Sequence, residues 1–168
     1  MNELRQLLEK LDFVNVQTYV QSGNIVFQFA QTDLQVPGMK ITDAITKRFG
    51  FYVPVILSGS DEFKKIIDAN PFSGDRSKDS ALMHLTFLSE NPDPENIEII
   101  MRGDYHRDEL VIIGKAVYLY CPDKYCNSRL SNGFFEDKLK VTAITRDWKT
   151  VNELFIMAEK IIRHDPGR

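Results

Sequence analysis

Cysteine is scarce in this sequence, and its spacing excludes two common kinds of site. The only cysteines, Cys121 and Cys126, are separated by four residues. This is neither the Cys-x-x-Cys spacing of redox proteins nor half of a four-thiolate zinc site. The three histidines, His84, His106 and His164, have no metal-type spacing with one another or with the cysteines. We therefore expect two reduced thiols and no metal site.

Long apolar runs and a strong charge imbalance are also absent. No run approaches the ~20 apolar residues that a transmembrane helix needs. The first residues, Asn2-Glu3-Leu4-Arg5, have a helical pattern rather than that of a secretory signal. The net charge of −3 gives no bulk attraction to nucleic acids or other polyanions. We expect a soluble, cytoplasmic protein with no membrane association.

The motifs of the commonest enzyme classes are missing as well. The sequence has no Gly-x-Ser-x-Gly elbow, no Gly-Lys-Ser/Thr phosphate loop and no Gly-x-Gly-x-x-Gly dinucleotide motif. We therefore expect no cofactor. This absence favours a non-catalytic protein, although it does not exclude an enzyme.

Residues 1–59 predict two helices, a hairpin and a strand. Four leucines at positions 4, 7, 8 and 11 form one helical stripe. Alternating β-prone residues flank Ser22-Gly23-Asn24 and predict a β-hairpin. A second stripe from Ile41 to Phe49 ends at Gly50, and Tyr52 to Leu57 predicts a strand. The predicted order is αββαβ.

Residues 60–168 predict a more complete version of the same order. A helix at 60–69 and a polar loop at 73–80 come first. Strands at 82–88, 110–113, 116–121 and 141–148 alternate with helices after Asp93 and over 128–139. A capping box at Thr150 to Glu153 starts a final helix. The order βαββαβ is ferredoxin-like. We therefore predict an α+β chain of two ferredoxin-like subdomains with antiparallel sheets, 1–59 and 60–168, the first lacking its N-terminal strand.

Several short motifs follow one another along the whole chain. They are Met-Asn-Glu-Leu-Arg at 1–5, Tyr-Val-Gln-Ser-Gly-Asn-Ile-Val-Phe at 19–27, Asn-Pro-Phe at 70–72, Tyr-Leu-Tyr-Cys-Pro at 118–122, Ser-Arg-Leu at 128–130 and Thr-Arg-Asp-Trp-Lys-Thr-Val at 145–151. Together they resemble the uncharacterised bacterial "domain of unknown function" family numbered 1697 (DUF 1697). Mild departures occur at Arg129, where the family usually has Lys, and at Asp147 and Lys149. The resemblance implies a fold but no activity.

Members of that family ordinarily begin with a strand that this sequence does not contain. In the ferredoxin-like arrangement that the resemblance implies, the strand lies between those near 25–29 and 53–57. Without it, unpaired backbone groups on both neighbours would each cost about 1 to 3 kcal/mol if buried. We hypothesise that the chain is a truncated form of a longer protein, or that a partner supplies the strand. Self-association through this unpaired sheet region is one such route.

Two groups of residues are candidates for binding a small anionic or planar ligand. Arg146 and Trp148 lie two apart on the predicted last strand, and a guanidinium beside an indole can bind a phosphate or stack on a ring. Ser22, Gly23 and Asn24 can form an anion-binding nest at the hairpin turn. Each group also has a structural interpretation, as a strand-to-helix corner and as an ordinary turn. Our leading hypothesis is a non-catalytic binding module that uses these five residues.

Two other classes of function stay open. Tyr118 and Tyr120 share a face of the strand on which RNA-recognition modules of this topology place stacking aromatics, which favours a nucleic-acid or protein interaction surface. The acidic net charge argues against nucleic acid. An enzyme is the third class, with His106 (among Asp104, Asp108 and Glu109) or Asp147 as acid or base in a cleft between the halves. His84 is predicted to be a partly buried strand residue.

Overall fold

The structure is a computed structural model that describes residues 2–19, 23–30 and 33–164, without the side chains of Cys126 and His164. This part of the chain contains six α-helices and two antiparallel sheets, which confirms the α+β class. It contains no helix with the length and hydrophobicity that crossing a membrane requires. Residues up to Lys64 and from Asn152 onward form one compact unit, and Lys65–Val151 form a second. The final helix, placed with the second half by the sequence division, thus groups mostly with the first unit.

The first unit packs two helices against a hairpin. Its elements are α1 (Asn2–Glu9), β1 (Val14–Tyr19), β2 (Asn24–Gln28) and α2 (Gln35–Phe49), together with the start of α3 (Ser60–Asp68) and most of α6 (Trp148–His164). The leucine stripe faces inward, and Leu8 is fully buried. As predicted, α2 ends at Gly50, whose positive φ of 78° lets its N–H donate to the Thr46 carbonyl. The buried core comprises Leu8, Phe13, Val16, Ile41 and Ile45.

The strand predicted at Tyr52 to Leu57 is not formed. In the described part of the chain this segment makes no backbone hydrogen bond, and the sheet of the first unit consists of β1 and β2. Val53, Val55 and Leu57 nevertheless alternate and pack against the core. An alternating pattern places side chains, but a strand also needs a neighbour for its N–H and C=O groups. The first unit is therefore αββα followed by an extended segment, which corrects the predicted αββαβ order.

The second unit is a four-stranded antiparallel sheet with two helices. Its elements are β3 (Met83–Leu88), α4 (Pro94–Met101), β4 (Glu109–Ile113), β5 (Ala116–Tyr120), α5 (Asn132–Leu139) and β6 (Ala143–Asp147), and the strand order is β4-β5-β3-β6. The predicted order of elements is present. Most of its core lies between the sheet and α4 and α5: Leu88, Ile100, Leu110, Val117, Leu119, Cys121, Leu130, Phe135, Leu139 and Ala143.

Both helices of the second unit, α4 and α5, begin directly after a residue whose side chain caps the helix. The Asp93 carboxylate accepts the Glu95 N–H at 2.9 Å and Pro94 opens α4, as predicted. The helix predicted from residue 128 begins at Asn132, because Ser131 accepts the Phe134 N–H at 3.2 Å and so serves as the cap. The strand predicted to reach Trp148 ends at Asp147, and α6 begins at Trp148.

Candidate functional site

Two loops of the second unit line a partly open, polar cavity of about 400 Å³. One loop joins α4 to β4 and the other follows β5. Because Glu109 pairs with Tyr120 in the β4–β5 ladder, both loops lie at the same end of the sheet. We call this cavity the loop groove; it is lined by Asp104, Tyr105, His106, Arg107, Asp108, Asp123, Lys124, Asn127, Ser128 and Arg129.

Local hydrogen bonds shape both walls of the loop groove. The Asp104 carboxylate accepts the His106 N–H at 2.9 Å, and the Cys121 carbonyl accepts the Lys124 N–H at 3.1 Å. His106 and Lys124 have φ values of 61° and 72°. Residues other than glycine rarely adopt such positive φ values. Such conformations cost on the order of 1 to 3 kcal/mol and persist only where the surroundings hold them. Hydrogen bonds within each loop therefore stabilise the conformation of each wall.

The charges of the loop groove are only partly paired. Arg107 Nη1 lies 2.8 Å from Asp123 Oδ1 and so links the two loops. Both side chains are more than half exposed, so this ion pair adds little stability. Among the residues that the structure describes, Lys124 and Arg129 have no ion-pair partner. The loop groove therefore offers two cations that no carboxylate in the described part of the chain neutralises directly.

Cys121 contacts Asp108 and Ser128 of the loop groove, and its surroundings disfavour a nucleophilic thiolate. Its side chain is buried and free of any disulfide. Burial raises the pKa of the Cys121 thiol to about 11, and the nearby Asp108 carboxylate adds to this shift. A thiol that stays protonated at neutral pH is unreactive. The structure also shows no cluster of three or more metal-ligating side chains within the described residues.

Arg146 and Trp148 do not share a strand face, because Trp148 is the first residue of α6. Arg146 lies opposite Leu85 on β3, and its Nη1 donates to the Thr145 carbonyl at 2.9 Å. It is half-buried, and burial lowers the pKa of its guanidinium, while the Asp147 carboxylate opposes this shift. The predicted pair is thus split between the end of a strand and the start of a helix.

Asn24 is the first residue of β2 and pairs with Tyr19 at the closed end of the hairpin. Its side chain is 6% exposed, and Nδ2 donates to the Tyr19 carbonyl at 3.2 Å across the turn. Gly23 has a φ of 77°, as a tight reversal requires. Ser22 lies outside the described residues. The Asn24 amide is therefore part of the hairpin rather than displayed on its surface.

Tyr118 and Tyr120 are not open stacking platforms. Tyr118 is 1% exposed, and burial raises the pKa of its phenol to about 12. The Lys78 ammonium lies 4.3 Å from the centroid of the Tyr120 ring and also forms an ion pair with Glu109. The side chains that would stack on bases are therefore covered by the protein itself, which corrects the expectation of an exposed aromatic face.

His84 and Asp147 face each other across the β3–β6 ladder. The His84 ring stacks on Tyr125 with centroids 4.6 Å apart, and its Nδ1 is the one buried side-chain polar atom in the described chain without a hydrogen bond. Asp147 is engaged by Thr150, whose N–H and hydroxyl both donate to its carboxylate at 2.8 Å. Asp147 thus caps α6, a role that the sequence pattern assigned to Thr150.

Comparisons with known proteins identify the family. The family described as "Protein of unknown function (DUF1697)" matches residues 1–118. The chain belongs to the DUF1697 family. The DUF1697 chain is also similar in fold to the solved structure of the conserved bacterial protein SP0830 from Streptococcus pneumoniae, with a TM-score of 0.74 and 22% identity, over 94% of this chain and 88% of that one. A comparison with curated proteins finds no match.

Sequence patterns predict only one wall of the loop groove in this DUF1697 chain. Asp104, His106 and Asp108 were candidates for acid/base chemistry, and they do line one wall. Lys124 and Arg129 were missed, because their loop meets the other only through the strand register. The available signal was weak: two polar loops flanking a predicted hairpin.

Proposed function

We propose that this chain is a non-catalytic binding module for a small anionic ligand and that the loop groove holds this ligand. The observation that carries the proposal is that Lys124 and Arg129 line a concave site without an ion-pair partner in the described structure. A guanidinium can bind a phosphate or carboxylate through two parallel hydrogen bonds, and an ammonium adds a mobile point charge. A volume of about 400 Å³ lies within the usual range for small-molecule sites.

The chemistry around the loop groove favours binding over catalysis. Cys121 stays protonated, and Asp147 is engaged in capping α6. His106 is the remaining candidate for acid/base work, but the structure gives its ring no orienting partner among the described residues. General acid/base catalysis normally relies on such an orienting partner. Turnover of a bound ester that is lost in His106→Gln would favour the enzyme instead.

Arg146 and Trp148 provide a second candidate site for the same class of ligand. The supporting observation is the half-buried guanidinium, because burial strengthens its attraction to an anion that displaces water. Against it, Arg146 already donates to the Thr145 carbonyl. The loop groove is therefore the preferred site.

We also propose that the second unit is ferredoxin-like. Support comes from its βαββαβ order and from the strand order β4-β5-β3-β6. In this arrangement the α4–β4 and β5–α5 loops emerge at one end of the sheet, where the loop groove lies. Binding sites are often formed by loops that a rigid sheet holds in position.

The proposal is tested by measuring the thermal stability of the full chain with and without ethyl phosphate. A ligand that binds the folded state raises stability by RT ln(1 + [L]/Kd), about 2.7 kcal/mol at a hundredfold excess over Kd. We expect this gain to disappear in Lys124→Ala/Arg129→Gln. Arg102→Gln, an exposed residue paired with Glu98 on α4, is the matched control and should keep the gain.

Three results would count against the loop groove. A gain that survives in Lys124→Ala/Arg129→Gln but disappears in Arg146→Gln would move the site to Arg146. A gain that survives in both variants would exclude both sites. The anion-binding proposal would end if ethyl phosphate, inorganic phosphate, acetate and O-phosphoethanolamine all failed to stabilise the wild-type chain.

A further inference from the structure

The loop groove contains unpaired charges of both signs. It is lined by three acidic and three basic side chains, and one pair, Arg107 with Asp123, is joined directly. Besides Lys124 and Arg129, Asp104 and Asp108 are also without an ion-pair partner among the described residues. Two carboxylates and two cations therefore face one cavity without mutual neutralisation.

The two carboxylates are held by the fold rather than by counter-ions. Asp104 accepts the His106 N–H at 2.9 Å, and Asp108 is half-buried with a hydrogen bond from the Cys121 thiol. Hydrogen bonds of this kind fix the position of a carboxylate but leave its negative charge in place. A purely anionic ligand bound between Lys124 and Arg129 would therefore be repelled by two fixed negative charges.

We infer that the ligand of the loop groove is zwitterionic, with a phosphate or carboxylate held by Lys124 and Arg129 and an ammonium group held by Asp104 and Asp108. This inference rests on the proposed function and names its ligand class. An ammonium donates three hydrogen bonds, and carboxylates accept them in the strong, charge-assisted form. The ligand would thus satisfy the charges that the described residues leave unpaired. A simple anion would satisfy half of them.

Three matched probes separate the two halves of such a ligand. O-Phosphoethanolamine carries both charges, ethyl phosphate carries the anion alone, and ethylammonium carries the cation alone. Titration calorimetry on the full chain should show O-phosphoethanolamine binding about tenfold tighter than ethyl phosphate, a free-energy difference of about 1.4 kcal/mol. Ethylammonium alone should bind much more weakly than O-phosphoethanolamine.

The variant Asp104→Asn makes the test specific. Asn keeps an oxygen that can accept the His106 N–H, so the turn is preserved while the charge is removed. We expect the preference for O-phosphoethanolamine over ethyl phosphate to fall severalfold, with ethyl phosphate binding unchanged or tighter. Asp137→Asn, an exposed residue on α5 outside the lining, is the control and should retain the full preference.

The outcomes distinguish this inference from the proposed function. Ethyl phosphate binding as tightly as O-phosphoethanolamine would overturn the zwitterion inference and leave the anion site standing. A preference that is unchanged in both Asp104→Asn and Asp108→Asn would also overturn it, because the carboxylates would then play no part. Absence of binding by both phosphate probes would overturn the proposed function, and the inference with it.

Discussion

The Tyr118 hydroxyl donates a 2.7 Å hydrogen bond to the Ile66 carbonyl oxygen, which ties the middle of β5 to α3. The phenol is 1% exposed. Tyr118 occupies a strand position at which RNA-recognition modules place a stacking aromatic residue. The bond to Ile66 explains why its side chain lies inside the protein instead. Its hydroxyl satisfies one of the last carbonyls of α3, which have no partner within the helix.

Replacing Tyr118 with Phe should destabilise the chain by about 1 to 2 kcal/mol, because the Ile66 carbonyl would lose its buried partner. Urea unfolding followed by circular dichroism measures this difference. Tyr52→Phe is the control, since Tyr52 is 70% exposed and should change stability little. Equal effects of the two substitutions would mean that the hydroxyl of Tyr118 contributes nothing.

Replacing Asp147 with Ala should lower stability by about 1 kcal/mol, as expected for the loss of an N-cap. The Thr150 N–H and hydroxyl would lose the carboxylate that accepts from both. Asp43→Ala, an exposed position within α2, is the control. The cap assignment fails if the two variants have the same unfolding midpoint.

The Asp147 cap should also depend on pH. Although burial opposes it, hydrogen bonds from Thr150 lower the pKa of Asp147 below its ordinary 3.8. The stabilisation is therefore complete above about pH 4 and is lost as the pH falls through the folded-state pKa. The stability difference between the wild type and Asp147→Asn should shrink on acidification in this range. A difference that grows on acidification would contradict the direction of the shift.

The pKa of His84 should lie below its ordinary value of 6.5, because burial disfavours the imidazolium. The Leu82 carbonyl and the Asp147 carboxylate favour the imidazolium and so reduce this shift. The unfolded chain then takes up a proton at higher pH than the folded chain, so stability is complete above about pH 6.5 and falls as the pH drops. His84→Phe keeps a ring against Tyr125 and should show a smaller acid loss. An NMR titration that gives His84 a pKa above 6.5 would contradict this account.

Amides of the extended segment should exchange with solvent quickly. Val53, Val55, Ile56 and Leu57 form no backbone hydrogen bond within the described residues, whereas Val117 lies in a central strand. Hydrogen exchange of the monomer should therefore show little protection in this segment and strong protection at Val117. Protection that rises with protein concentration would indicate a strand supplied by a second copy. Strong protection at all concentrations would show pairing that the structure lacks.

Local signals in the sequence located most elements. The leucine stripe of α1, the Asp93-Pro94 start of α4 and the Gly50 end of α2 depend on neighbouring residues, so a linear pattern is enough to predict them. The capping-box pattern predicts that α6 starts after Thr150, whereas the helix starts at Trp148 with Asp147 as its cap. The pattern could not show this, because it does not reveal that Thr150 donates to Asp147.

The candidate site was harder to predict, because it depends on pairing between distant residues. Arg107 and Asp123 are 16 positions apart and meet only because Glu109 pairs with Tyr120. Conversely, Tyr118 and Tyr120 share a face as predicted, but nothing in their spacing shows that α3 and Lys78 cover that face.

The central claim is that the loop groove binds a small anion, and a ¹⁵N NMR titration of the wild-type chain with ethyl phosphate tests it most directly. We predict saturable shifts of backbone amides concentrated in residues 104–108 and 123–129, and loss of these shifts in Lys124→Ala/Arg129→Gln. Shifts centred instead on Arg146, or on Gly23 and Asn24, would contradict this account, as would a spectrum that both ethyl phosphate and O-phosphoethanolamine leave unchanged.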